Sequence, residues 1–296
     1  MHAYQLGLYE KSMPKTLSWE EKFRAVQQAG FDYLEMSIDE TAEKLARLDF
    51  DATQLAEIQV AMQRTGIRIG SICLSGHRKY PFGDPDKATR QKSLAIMQKA
   101  IQLASLLGIR TIQLAGYDVY YKQGTEETRH FFTQNLAKAV DMAARAGVML
   151  GFETMETPFM DTVAKAMHYV QEIPSPYLGV YPDVGNLTNA ALLYAHDKSD
   201  VARDMEQGLG HVVAVHLKET VPGKYREIPF GTGHVNFAAV TKKAYHMGVR
   251  RYVAELWDTG GDWQQAIAHA STFLRTFLDA AEREVKQEEE RTVCYG

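Results

Sequence analysis

Four residues able to bind a cation or move a proton, Glu153, Asp183, His216 and Glu255, each close a short β-branched or apolar run. The runs read Val148-Met-Leu-Gly-Phe-Glu153, Leu178-Gly-Val-Tyr-Pro-Asp183, Val212-Val-Ala-Val-His216 and Arg251-Tyr-Val-Ala-Glu255. Successive members are 30, 33 and 39 positions apart, each interval the length of one strand plus one helix. If the runs are neighbouring parallel strands, all four side chains meet at one rim of one sheet. Taken singly, each has a plainer explanation: a solvated strand end for a Glu, a turn former for an Asp before Val-Gly-Asn186, a core imidazole for the His. Taken together, three carboxylates and an imidazole make a poor electrostatic site without a cation and a coordination shell with one. Mixed imidazole and carboxylate ligands admit one divalent ion, Zn²⁺ or Mn²⁺ first and Co²⁺ or Mg²⁺ next, although, with no thiolate, softness does not pick zinc. The carboxylates of the fifth and eighth strands would face each other across the site. A substrate held between them offers one face to each, which suits proton transfer beside a carbonyl polarised by the ion.

The elements that must position these residues are marked by recurring punctuation. An amphipathic segment ends, a Gly follows, and a β-type run begins at Gly30, Gly66, Gly108, Gly147 and Gly248. Gly just past a helix takes the left-handed conformation without a Cβ penalty. Ser18 with Glu21 and Asp51 with Gln54 read as capping boxes, and Asp84 before Pro85 as an N-cap. Leu136, Ala139, Val140 and Ala143 share one face of a helix over about 126–146. Strands are expected near 4–9, 31–37, 67–73, 110–115, 148–153, 178–182, 212–217 and 251–256, with a weak sixth helix near 199–209 and a last helix near 262–285. Eight strand–helix units in roughly 250 residues imply a closed (β/α)8 TIM barrel with its site at the carboxyl ends of the strands. A doubly wound open sheet is the alternative, but usually has fewer strands. No linker divides the chain, so residues 1–296 read as one domain, with a charge-rich, solvated tail from about 282.

Composition narrows the function. No run of apolar residues is long enough to span a bilayer, and the first residues lack an apolar signal core, so no membrane partner is expected. With Cys73 and Cys294 the two cysteines, no disulfide framework is expected and a reducing cytoplasm is the default location. A net charge of −4 and the lack of a basic stripe argue against nucleic acid.

No phosphate loop of the GxxxxGK[ST] type is present. The better anion site is Ser75-Gly-His77-Arg78-Lys79 after the third strand, where at least one of His77 and Arg78 is expected to touch a phosphate. Lys11 and Lys218 are secondary candidates. Tyr117, Tyr120 and Tyr121 could wall the site or simply pack. Glu156, Glu219 and Glu35 could orient ligands, bind hydroxyls or be ordinary loop carboxylates.

Glu153-Thr-Met-Glu156, Tyr181-Pro-Asp-Val-Gly-Asn186, Val213-Ala-Val-His-Leu-Lys-Glu219 and Ala254-Glu-Leu-Trp257 resemble the xylose isomerase-like TIM barrels, and within them the L-ribulose-5-phosphate 3-epimerases, also called L-xylulose-5-phosphate 3-epimerases. Leu6-Gly-Leu-Tyr-Glu-Lys11, Glu35-Met-Ser-Ile-Asp-Glu40, Cys73-Leu-Ser-Gly-His-Arg-Lys79, Gln113-Leu-Ala-Gly-Tyr-Asp-Val-Tyr-Tyr121 and Pro229-Phe-Gly-Thr-Gly233 extend the likeness over about residues 4 to 275. The resemblance implies an isomerase that interconverts L-xylulose 5-phosphate and L-ribulose 5-phosphate in L-ascorbate or related pentose catabolism. It places one divalent ion on Glu153, Asp183, His216 and Glu255, and makes Glu153 and Glu255 the proton-transfer pair. Related epimerases of unphosphorylated ketoses carry a substrate-binding His where Asn186 stands. Those contacts do not carry over, and Asn186 is a substrate-binding candidate in its own right. A hexulose-6-phosphate aldose–ketose isomerase is the near rival. An abasic-site endonuclease would need further strand-end histidines, yet strand 4 ends in Leu114-Ala115-Gly116. A non-catalytic sugar-binding barrel would not need both carboxylates. A homodimer is the expected assembly.

Overall fold

The computed structural model of the chain describes residues 2–193 and 201–295, with side chains as far as Arg291. Its strands are β1 (Gln5–Tyr9), β2 (Tyr33–Ile38), β3 (Arg68–Leu74), β4 (Thr111–Ala115), β5 (Met149–Glu153), β6 (Leu178–Tyr181), β7 (Val215–Leu217) and β8 (Arg251–Ala254). They pair in parallel in the order β6-β5-β4-β3-β2-β1-β8-β7. The seam between β6 and β7 is joined by parallel bridges from Val180 to Val212 and from Asp183 to His216. Val180 N donates to His211 O and Val213 N to Val180 O, both at 2.8 Å. The sheet is therefore a nearly closed barrel, as the eight units imply, and not an open sheet. β7 is shorter than its apolar run suggests because Val212 and Val213 meet β6 through an isolated bridge and a single hydrogen bond and not through a continuous ladder.

The helices are α1 (Trp19–Gln28), α2 (Ala42–Leu45), α3 (Ala52–Thr65), α4 (Lys87–Leu106), α5 (Glu126–Ala146), α6 (Val163–Glu172), α7 (Val184–Leu193), α8 (Val201–Glu206), α9 (Phe237–His246) and α10 (Trp263–Tyr295). Both expected capping boxes form, at Ser18 and Asp51. The five punctuating glycines all have φ between 65° and 87°. The expected cap at Asp84 is displaced: Asp86 caps α4 through Ala88 N and Thr89 N, while Asp84 receives Lys122 Nζ at 2.9 Å. The weak sixth helix corresponds in part to α8, and positions 199 and 200 lie outside the described residues. α7, by contrast, starts in a segment that reads as a turn. Asp183 explains it, since Oδ1 accepts from Gly185 N at 2.8 Å and Asn186 N at 3.0 Å and satisfies the first turn of the helix. The last helix runs on to Tyr295; Val285 is still buried, while 286–291 are exposed.

Large side chains set against glycine fill the barrel interior. Tyr33 lies between Gly7 and Gly70, where an added Cβ would fall 2.4 Å and 2.3 Å from its ring, and its hydroxyl donates to Tyr252 O at 2.9 Å. Tyr181 packs against Gly151 in the same way, with 3.2 Å to an added Cβ. Just past β1, Glu10 is buried and accepts from Lys22 (2.8 Å), Lys44 (3.0 Å), Ser37 N (2.9 Å) and both terminal nitrogens of Arg47 (2.6 and 2.7 Å). Cys73 is buried and free; Cys294 lies outside the described side chains. No helix among the described residues is long and apolar enough to cross a membrane.

Candidate active site

The barrel brings the four strand-end residues together. Glu153 is the last residue of β5, Asp183 follows β6 by two, His216 lies within β7, and Glu255 follows β8. All four are buried, and each offers a ligand atom within 4.8 Å of the others. His216 Nδ1 lies 3.2 Å from Glu153 Oε1 and 3.0 Å from Glu255 Oε2. Its other ring nitrogen, Nε2, is 2.6 Å from Glu35 Oε1. Glu35 is itself fixed by Ser71 Oγ (2.7 Å) and the Tyr181 hydroxyl (3.0 Å), both donating to Oε2. A carboxylate that takes the Nε2 proton leaves the Nδ1 lone pair for the cluster, the usual arrangement behind a metal-binding imidazole.

The electrostatics of the cluster favour a cation. Burial pushes the Asp183 carboxyl well up despite the ammonium of Lys218 beside it. Burial also opposes charge on Glu255, but Lys218 and His216 outweigh it and hold that carboxyl well below the usual range. The imidazole of His216, although buried, is pushed well up by Glu35 and Glu255. Asp183 Oδ2 and Glu255 Oε2 are buried without a hydrogen-bond partner among the described residues. Lys218 Nζ forms ion pairs with both, at 2.5 Å and 3.6 Å. Hard oxygens with unspent lone pairs beside an oriented imidazole fit a divalent cation.

Above the cluster a polar cavity opens between the strand ends. Lys11, Cys73, Ser75, Arg78, Glu156, Asn186 and Lys218 line it together with Glu153 and Glu255, as do four residues not named as site candidates from the sequence: Tyr9, Met155, Arg226 and Trp257. One expectation needs correction. His77 does not reach the cavity. Its Nε2 contacts Ser93 O at 3.1 Å, its ring stacks on Phe82, and burial pushes its pKa down to about 4, so it brings no charge to an anion. The segment Ser75–Arg78 is a 3-10 turn, and consecutive side chains on a three-residue turn point about 120° apart. Of His77 and Arg78, it is Arg78 that lines the cavity. Lys218 lines the cavity beside the ligand cluster and donates to Asn186 Oδ1 at 2.8 Å. Lys11 pairs with Asp39 at 2.6 Å. Tyr117 is buried, Tyr120 lies under Arg78, and Tyr121 is exposed. Glu219 organises the 220–236 loop by accepting from Thr220 N, Gly231 N and Val235 N.

Comparison with known proteins agrees with this geometry. Residues 23–277 match the family described as the xylose isomerase-like TIM barrel. The chain is 44% identical over 264 residues to the putative L-ribulose-5-phosphate 3-epimerase SgbU of Escherichia coli (strain K12), covering 87% of this chain and 90% of that protein. It is 42% identical over 280 residues to the L-ribulose-5-phosphate 3-epimerase UlaE of Salmonella paratyphi C (strain RKS4594), covering 93% and 95%. Among solved structures, an L-ribulose 3-epimerase superimposes with a TM-score of 0.77 at 19% identity over 96% of this chain and 97% of that one, which speaks to the fold. The chain belongs to the xylose isomerase-like TIM barrels and, within them, to the L-ribulose-5-phosphate 3-epimerase family.

Proposed function

We propose that the protein is an isomerase that inverts C3 of a ketopentose 5-phosphate, interconverting L-xylulose 5-phosphate and L-ribulose 5-phosphate. The observation that carries the reading is the buried set Glu153, Asp183, His216 and Glu255, gathered at the rim of a barrel whose relatives bear that name. The four residues would hold one divalent cation, Zn²⁺ or Mn²⁺ before Co²⁺ or Mg²⁺. When bound, such a cation polarises the ketose carbonyl and makes the neighbouring C3 proton more acidic.

The side chains do the rest. Glu153 and Glu255, from strands three apart around the barrel, each address one face of the sugar. One removes the C3 proton and the other returns a proton from the opposite face. A single base cannot serve both faces of a substrate held still. Lys218, buried against Asp183 and Asn186, sits where negative charge builds on the sugar oxygens and stabilises it. Glu35 keeps His216 in one tautomer. Arg78, Lys11 and Ser75 face the phosphate end of the cavity, and Asn186 and Glu156 remain substrate contacts. The test is incubation of metal-loaded protein with each pentulose 5-phosphate in D₂O. Conversion with deuterium placed at C3 is expected. Conversion without deuterium at C3, or aldose formation with deuterium at C1 or C2, would reject this chemistry.

A further inference from the structure

We propose, on the two-carboxylate reading above, that Gln113 is a positioning residue for the reaction: through an ordered water beneath the cavity floor, its amide steadies the Glu153 carboxylate against one face of the sugar. Gln113 lies in the middle of β4. Its neighbours Ile112 and Leu114 belong to the apolar cluster that takes in Met97 and Ile101 of α4 and Leu136 of α5, on the outer side of the sheet. Alternation along a strand therefore turns Gln113 into the barrel. It pairs in register with Cys73 on β3 and Gly151 on β5. Cys73 clusters inside the barrel with Tyr9, Tyr33 and Tyr181 and also lines the active-site cavity, whereas Gln113 does not line it. The Gln113 side chain thus lies under the cavity floor.

That side chain is fully buried, and neither Oε1 nor Nε2 has a hydrogen-bond partner among the described residues. A primary amide carries two donors and an acceptor with two lone pairs, and burying all of them unpaired is costly. Buried polar groups without a protein partner are met by ordered water, which itself needs roughly two to four polar contacts. The polar groups across the barrel are already committed. Glu35 receives Ser71 Oγ and the Tyr181 hydroxyl and faces His216 Nε2, and the Tyr33 hydroxyl goes to Tyr252 O. The Cys73 thiol is a weak partner. On β5, Gly151 has no side chain to offer, and the next inward residue toward the rim is Glu153. Strands about 4.8 Å apart with a rise of about 3.3 Å per residue put the two backbones about 8 Å from each other at Gln113 and Glu153. A water between amide and carboxylate spans that gap.

The bridge has a consequence for the chemistry. Glu153 meets His216 Nδ1 through Oε1 alone, and a carboxylate held at one oxygen can still rotate. A second contact from below sets its plane, and a base must sit within hydrogen-bond reach of the proton it takes. Glu255 is held by other groups, His216 and Lys218. Loss of the Gln113 amide should therefore fall on one carboxylate and spare the other.

The experiment compares wild type with Gln113→Met, which keeps the length and loses the amide, both loaded with Mn²⁺ to equal metal content. NMR in D₂O follows C3 proton exchange separately from L-xylulose 5-phosphate and from L-ribulose 5-phosphate, and Glu153→Gln identifies the epimer that depends on Glu153. Gln113→Met is expected to slow exchange of that epimer by about tenfold or more, the usual worth of an outer partner, while exchange of the other epimer and both KM values stay within about twofold. Gln113→Asn, which keeps a shorter amide, should recover part of the lost rate. Equal loss for both epimers, or loss for neither, would overturn the assignment. If Gln113→Met does not fold, a crystal structure of the metal-loaded wild type decides. A water within hydrogen-bond distance of both the Gln113 amide and the Glu153 carboxylate is expected, and an amide paired only with other groups would overturn the bridge. The crystallographic readout needs no turnover. It stands apart from a failure of the two-carboxylate reading, in which Glu153→Gln and Glu255→Gln would lose exchange of the same epimer.

Discussion

Two buried charge clusters sit near the strand ends of this barrel, and they are built on opposite principles. At Glu10, one carboxylate is saturated: Lys22, Lys44, Arg47 and Ser37 N supply every contact its oxygens can accept. Those cations hold Glu10 far below the usual carboxylate range in spite of its burial. Across the rim, three carboxylates crowd one imidazole and one ammonium, two oxygens have ion-pair contacts but no hydrogen bond among the described residues, and Asp183 is pushed toward its protonated form. Burying charge is tolerable only when it is paired and hydrogen-bonded. The first cluster meets that condition within the chain and acts as a brace between β1 and the segment after β2. The second does not meet it within the chain, and its donor set is one that could hold a divalent cation.

The largest effects should come from breaking the open cluster chemically while leaving its shape. Glu153→Gln and Glu255→Gln, each loaded with metal, are expected to lose about 10²–10⁴-fold in the rate of epimerisation, the usual worth of a positioned acid or base. Each should still exchange the C3 proton of one epimer with solvent, and the epimer that exchanges should differ between the two, as read by NMR in D₂O. Near wild-type epimerisation in both would remove the two-carboxylate pairing.

Breaking the closed cluster should act on stability instead. Glu10→Ala strands three buried cations and is expected to cost about 3–5 kcal/mol in denaturant unfolding. The pH dependence sharpens this. The folded pKa of Glu10 is depressed, so its contribution is present above the unfolded carboxyl value of about 4.3 and is lost as pH falls below it. The stability gap between wild type and Glu10→Gln should therefore hold steady down to about pH 5 and narrow further into acid. A gap that widened in acid would show that another group carries the effect.

The smallest effect tests whether the open cluster is completed by a cation. Adding Zn²⁺ or Mn²⁺ to stripped protein at a hundred times its Kd should stabilise it by about 2.7 kcal/mol. Glu35→Gln should weaken that cation by roughly 10–100-fold, because His216 loses the carboxylate that fixes its ring. A thermal-shift titration with no response to any divalent ion would place the two clusters in the same class.

How far each region shows in the sequence follows the same division. Glu153, Asp183, His216 and Glu255 are legible because strand ends on a barrel are forced to converge, so spacing alone joins them. The punctuating glycines are legible because a left-handed helix end needs that residue. Glu10 and its partners are not, since 34 and 37 positions separate it from Lys44 and Arg47, and no periodicity links loop side chains across such gaps. Arg226 escapes for a similar reason: it rides on a loop whose path is set by Glu219 and Asn189, not by any local pattern. His77 misleads because adjacent residues on a tight turn diverge, and the sequence does not say which one turns inward. α7 is masked because the residue that starts it, Asp183, also belongs to the cluster.

The tyrosine lodged between Gly7 and Gly70 works as a cork, because the ring of Tyr33 takes the space that side chains at both positions would need. The cavity at the strand ends, lined by Arg78 and Arg226, also takes in Glu153 and Glu255 of the cluster, so a ligand seated there would lie over a cation held by the four residues. A cation on the four residues would therefore be first in and last out, with the sugar stacked above it. A chelator would strip the metal readily from the resting enzyme and only slowly from one saturated with a substrate analogue.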